Sequence, residues 1–347
     1  MNQQVNTCLR RIPAFDILKV FAIYMVLWGH CIQYFLSTEH SHDAVYRVIY
    51  SFHMPLFMTT AGFFSIRSFN LTPKALFTKK FRELIYPVLF WGIIFFIVHA
   101  FINIHQGNKV YYIYDIVAIY TKNLWFLKCL FFCYLAGYFC FRSQINVPII
   151  LATLILSQFI TSHNICIMYP CFLFGILLRR KPNLIENKYL TITSFSLFSI
   201  MLFGWDASFW PSKGVWFAPN MLETFKTGDI SYVYQYLQKG IYRIIIGLAG
   251  GAAFISSFTM LFTKKDSPLI KVLAVGGQYT LGIYITQFFV LECCLGSFVK
   301  LNEMNYFLFH FIITPIISLL LLIILSTLVM YTYKNRYVSM IMWGKTV

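Results

Sequence analysis

Asp16, Lys19 and His30 lie within "PAFDILKVFAIYMVLWGHCIQYF" (13–35), a stretch otherwise apolar enough to enter a bilayer. An ionisable group in hydrocarbon costs about 3 kcal/mol on insertion scales, so such residues normally face a protein interior and serve a purpose there. Lys19 and His30 are 11 residues apart. At about 100° per residue this is roughly 20° past three full turns, which puts both on one helix face, about 16 Å apart along the axis. Asp16 sits one turn before Lys19 and is expected to pair with it. A second segment, "SFHMPLFMTTAGFF" (51–64), carries His53. Antiparallel neighbours would bring His53 and His30 to similar depth. Pro55 is expected to loosen the helix just after His53, freeing a backbone carbonyl, and Gly62 to permit close helix packing. Two imidazoles at one level supply a general base and an orienting or relay partner. Either histidine alone has a packing residue as its alternative reading; with Lys19 the set favours chemistry.

The elements that must position these groups are membrane helices. Of 347 residues, 59% are hydrophobic and 12% charged, with a mean hydropathy of +0.68. A soluble surface needs far more charge. The apolar blocks match the roughly 20 residues that cross a bilayer, which predicts an all-α polytopic membrane protein, a single domain over 1–347. About ten spans are expected, near 13–36, 45–66, 84–104, 124–141, 145–162, 164–178, 189–205, 240–262, 272–298 and 306–333. The first block is too long and too charged for a cleavable signal.

The net charge of +16 fits basic cytoplasmic loops better than nucleic-acid binding. Arg10 and Arg11, the Arg67–Arg82 stretch, Arg142, the Arg179–Lys188 stretch, Lys264, Lys265, Lys271 and the Lys334–Lys345 tail hold 18 of the 28 basic residues. They share one side only if the chain crosses ten times, which puts both termini in the cytoplasm. The connection 206–239, with Trp210, Trp216 and several Gly and Pro, then lies outside as an aromatic interfacial loop. The stretch 108–123 reads as a short interfacial helix. The nine cysteines read as packing residues, since their number is odd and no CxxC occurs. "EHSHD" (39–43) reads as a solvated turn rather than a metal site. His99, His105, His163 and His310 have no evident partner in sequence.

These residues resemble the acyltransferase 3 family of integral-membrane acyltransferases. Lys19 and His30 match the family's first-helix pair of a basic residue and a histidine, with Lys for the commoner Arg. "FHMPLF" (52–57) with "AGFF" (61–64), "KKFRELIYPVLFW" (79–91), "LWFLKCLFFCYL" (124–135), "YPCFLFGILLRR" (169–180) and "GGQYTLGIYITQ" (276–287) resemble later motifs in order. The likeness runs from about residue 11 to 333. The chain departs at Gln287, where the family often has a histidine; Gln can hydrogen-bond but cannot shuttle a proton at neutral pH. Lys19 also lacks the bidentate fork of Arg.

The resemblance implies transfer of an acyl group, commonly acetyl, from cytoplasmic acyl-CoA to a sugar of a surface polysaccharide or its lipid-linked precursor, in a bacterial-type inner membrane. His30 is expected as base, His53 as its partner, and Lys19 with Asp16 as the pair holding the cofactor or tuning the site. Arg67, Lys79, Lys80 and Arg82 form a basic loop suited to coenzyme A phosphates. Trp125, Tyr284 and Gln287 are expected to contact the acceptor, and no metal is expected. The rival reading is a transporter or flippase for a lipid-linked sugar, which buried ionisable groups also suit. Against it, the sequence has no internal repeat.

Overall fold

Prolines and short polar side chains mark where the helices begin. Pro13 occupies the first turn of α1 (Pro13–Phe35), where a missing N–H is harmless. Asp43 caps α2 (Ala44–Phe69), accepting from the Tyr46 amide at 2.8 Å. Thr72 caps α3 (Pro73–His105), accepting from the Ala75 amide at 3.3 Å. The computed structural model describes residues 12–345, except 37–39, 106, 108, 111, 143–145, 161–163, 207–208, 210–216, 264–266, 296–300 and 302–303. Further along run α4 (Tyr112–Lys122), α5 (Trp125–Arg142), α6 (Val147–Gln158), α7 (Ile165–Arg180) and α8 (Lys188–Phe203). They are followed by α9 (Phe217–Thr227), α10 (Ser231–Phe262), α11 (Pro268–Gly276), α12 (Thr280–Phe288, continued by a π-helical turn over Phe289–Leu295), α13 (Tyr306–Lys334) and α14 (Arg336–Trp343). No strand occurs among the described residues.

Five helices, α1, α3, α5, α10 and α13, are long and apolar enough to cross a membrane. In α1, 61% of the most apolar window is buried, against 28% in α3 and 33% in α13, so α1 is central and the other two are peripheral. The 26-residue α2 is outside this group of five although it is long. It carries Arg47, His53, Thr59, Thr60 and Arg67, and it packs against α1, α5, α7 and α10. A helix surrounded by protein needs less apolar surface than one facing lipid.

Glycines set the closest crossings. A Cβ on Gly62 of α2 would lie 1.9 Å from the Phe172 carbonyl oxygen, and one on Gly175 of α7 would lie 2.0 Å from the Thr59 carbonyl oxygen. The expected role of Gly62 is therefore met, with a reciprocal glycine opposite. Pro55 does not interrupt α2; the helix runs through it, and the ring packs against Gly247 of α10.

A helix is described within each stretch expected to span, five of these helices are long and apolar enough to cross, and three blocks differ in shape. The block at 84–104 extends back to Pro73. The block at 272–298 is split, because the chain turns between Gly276 and Tyr279. Gly277 there lies so near α1 that a Cβ would be 2.4 Å from the Asp16 carbonyl oxygen. The block at 240–262 extends back to Ser231 as one 32-residue helix, so the 206–239 connection is largely helical rather than an extended loop. Trp210 and Trp216 lie outside the described residues. Trp205 is buried and anchored: its indole donates to the Arg47 carbonyl at 2.8 Å, while Arg47 donates to the Trp205 carbonyl at 3.1 Å. Within the stretch 108–123, Tyr112–Lys122 forms α4, with Ile113 and Tyr114 exposed. Six described cysteines are free and buried, in keeping with a packing role.

Candidate active site

Two cavities lie inside the bundle, and each takes one end of the α1 polar face. The first, about 210 Å³, is lined by Lys19 with Thr60, Phe64, Tyr134, Thr280 and other residues. Asp16 is buried and pairs with Lys19 at 3.3 Å. The Lys19 ammonium also stands 5.0 Å from the Phe64 ring centre. The second cavity, about 290 Å³, is lined by His30, Tyr50, His53, Trp125, Arg243 and neighbours. Met54 and Tyr284 line both cavities, so these two side chains stand between the lysine and histidine chambers.

The histidines share one chamber, with Tyr50 edge-on to both: its ring centre is 6.2 Å from that of His30 and 4.5 Å from that of His53. His53 Nδ1 lies 2.8 Å from the Ile49 carbonyl. A carbonyl only accepts, so Nδ1 carries the proton and neutral His53 keeps its lone pair on Nε2. His30 stacks on Tyr34 at 5.8 Å, and its Nδ1 is buried with no hydrogen-bond partner. Tyr34 in turn donates to Glu292 at 2.8 Å. Gln287 lies one turn beyond Tyr284, fully buried, with both amide atoms unpartnered.

The basic loop is only partly drawn inward. Lys80 is buried, paired with Glu83 at 2.8 Å and 4.0 Å from the centre of the Tyr134 ring that lines the lysine chamber. Arg67, Lys79 and Arg82 are exposed and line neither cavity. The C-terminal segment adds a cation that sequence reasoning had not placed at the site. Trp343 of α14 is fully buried and stacks on Trp91 at 5.6 Å. It thereby holds Lys345 beside Glu83 and Lys19; burial, and then repulsion from Lys19, lower the Lys345 pKa while Glu83 raises it.

At the histidine end, "EHSHD" is structural in two places. His40 lines the histidine chamber, and Asp43, besides capping α2, lies 2.7 Å from His310 of α13. Glu39 and His163 lie outside the described residues. Among the described residues no group of three His, Cys, Asp or Glu side chains is arranged to hold a metal.

Sequence reasoning passed over Arg243 and Glu292. Both are charges within apolar blocks, the same signal that singled out Asp16 and Lys19.

Long apolar helices around inward-facing ionisable groups define an integral membrane protein with an internal polar site. The acyltransferase domain family, acyltransferase 3, matches residues 12–334, nearly the whole chain, and the chain belongs to that family. It is a membrane acyltransferase. No curated protein and no solved structure matches it.

Proposed function

We propose that the chain moves an acyl group, by preference acetyl, from cytoplasmic acyl-CoA to a sugar hydroxyl of a surface polysaccharide or its lipid-linked precursor. The membrane is a bacterial-type inner membrane, crossed about ten times with both termini inside. The observation carrying this reading is the pair of chambers, lysine-lined and histidine-lined, that share Met54 and Tyr284 in their walls. A long pantetheine arm suits such a path. It lets a thioester anchored at the Lys19 end present its acyl carbon near His30, about 16 Å along α1.

The acceptor hydroxyl oxygen attacks the thioester carbonyl carbon, and His30 takes the hydroxyl proton. The carbon–sulfur bond breaks, and the coenzyme A thiolate leaves and receives the proton. His53, with Nδ1–H held by the Ile49 carbonyl, is the relay partner. Lys19 and Lys345 attract the coenzyme A phosphates at the chamber mouth, with Arg67, Lys79, Lys80 and Arg82 as the basic surface around it. Trp125, Tyr284 and Gln287 contact the acceptor; Gln287 brings unpartnered donor and acceptor atoms to that task.

Membranes holding the protein, incubated with radiolabelled acetyl-CoA, should label glycan or lipid-linked sugar. His30→Ala should lower that transfer on the order of 10²-fold while inserting normally. Full transfer by this variant would remove His30 from the mechanism. Sugar movement across the membrane without label would replace the reading with transport.

A further inference from the structure

Arg243 lines the histidine chamber and is buried, with its Nη1 unpartnered. Among the described residues no carboxylate pairs with it, and none lines the chamber. The acids nearby are already engaged, Glu292 by the Tyr34 hydroxyl and Asp43 by His310. A second unpartnered atom in the same chamber is Oδ1 of Asn164, buried on a residue held at φ +57°. His30 Nδ1 is a third.

Native interiors satisfy nearly all buried polar groups, and a buried cation left without a counter-charge is strongly destabilising. Three unmet groups in one cavity therefore describe the ligand that completes them. Arg243 requires an oxyanion. Asn164 Oδ1 can only accept, so it requires a hydroxyl or N–H donor. A volume of about 290 Å³ stands at the low end of ligand sites, which start at roughly 300 Å³, and suits one sugar unit rather than a chain.

We propose that the histidine chamber selects an acidic acceptor, a sugar unit whose carboxylate or phosphate group binds Arg243 while a hydroxyl donates to Asn164. The inference deepens the acyl-transfer reading and rests on it for the word acceptor; the binding itself does not. A guanidinium matches the two oxygens of a carboxylate or phosphate in a fork that a lysine cannot reproduce. The proposal gives the chamber two functions: anion capture at Arg243 sets the sugar's orientation, and His30 then meets one of its hydroxyls.

The test uses the purified full-length protein in detergent and follows its thermal unfolding with glucuronate, inorganic phosphate or glucose, at ionic strength matched with sodium chloride. Stabilisation by an anionic probe but not by glucose is expected, since a ligand that binds only the folded state raises its melting point. A larger shift with glucuronate marks a carboxylate-bearing unit, and a larger shift with phosphate marks a phosphate-bearing one. Arg243→Lys should weaken the effective probe about tenfold, and Asn164→Ala should weaken glucuronate while sparing phosphate. These two variants keep the test standing if Arg243→Met does not fold. Equal shifts with glucose, or none beyond sodium chloride, overturn the proposal and leave the chamber filled by water alone. None of these measurements needs an acyl donor, so they stand even if the chain transfers nothing. Where transfer is measured, Arg243→Lys should raise KM for an acidic acceptor by more than for a neutral one. A fall in kcat with every acceptor at constant KM overturns the proposal, because it assigns Arg243 to the reaction's own oxyanion.

Discussion

Lys19 shows how one side chain anchors its own end of the site. Its ammonium has Asp16 at 3.3 Å and an aromatic face, Phe64, at 5.0 Å, and it lines the lysine chamber. Partial burial beside a carboxylate holds a cation in place without consuming all its hydrogen-bond capacity, since an ammonium has three donors. If Lys19 receives the coenzyme A phosphates, Lys19→Met should raise KM for acetyl-CoA about tenfold, the loss of one charge-assisted contact. The kcat should change less, and Lys19→Arg should keep most of the affinity; initial rates over a range of acetyl-CoA concentrations decide. At this scale Asp16, Lys19, His30 and His53 could be read from the chain, because an ionisable group in an apolar run is conspicuous. Arg243 and Glu292 carried the same signal. The Asp43–His310 contact did not, since its members stand on α2 and α13 and nothing local relates them.

The elements are held together by close crossings more than by polar contacts. α2 and α7 meet through Gly62 and Gly175, each facing the other helix's backbone. Within a bilayer such small-residue contacts replace the hydrophobic driving force that water would supply. Gly62→Ala and Gly175→Ala should each destabilise the protein by at least about 3 kcal/mol, the upper range of overpacking, because the obstacle is backbone and cannot rotate away. Gly251→Ala should cost less, since the Cβ would meet only the Thr59 hydroxyl at 3.2 Å. Thermal unfolding in detergent with yield after solubilisation measures both. His53 and Pro55 lie on the same helix, so a shift of α2 should also reduce transfer. Apolar blocks revealed that helices would form at these places, but not their breaks. Gly276–Tyr279 turns where α12 approaches α1 at Asp16, and a turn in an apolar block is set by what it packs against.

At the scale of the molecule two further cations come to the Lys19 chamber from distant parts of the chain. Lys345 lies near Lys19, and Lys80 meets Tyr134 of the chamber wall. The proposed topology, with both termini cytoplasmic, predicts that a cysteine at Lys79 reacts with an impermeant maleimide only after cells are permeabilised, whereas one at Lys226 reacts in intact cells. Both positions are exposed, and six of the native cysteines are buried, which lowers the background. Reaction of both in intact cells would contradict the ten-span topology. The sequence by itself determined that the protein is helical, apolar and basic, and that one face of its first helix carries ionisable groups. Period and composition act over a few turns, and those features are local. Only the tertiary structure decided that His30 and His53 share a chamber with Arg243 and Asn164, that Met54 and Tyr284 divide it from Lys19, and that the C-terminal helix brings Lys345 back to the first. Those neighbours come from distant parts of the chain, and helix packing, not the pattern within any one helix, determines which faces meet.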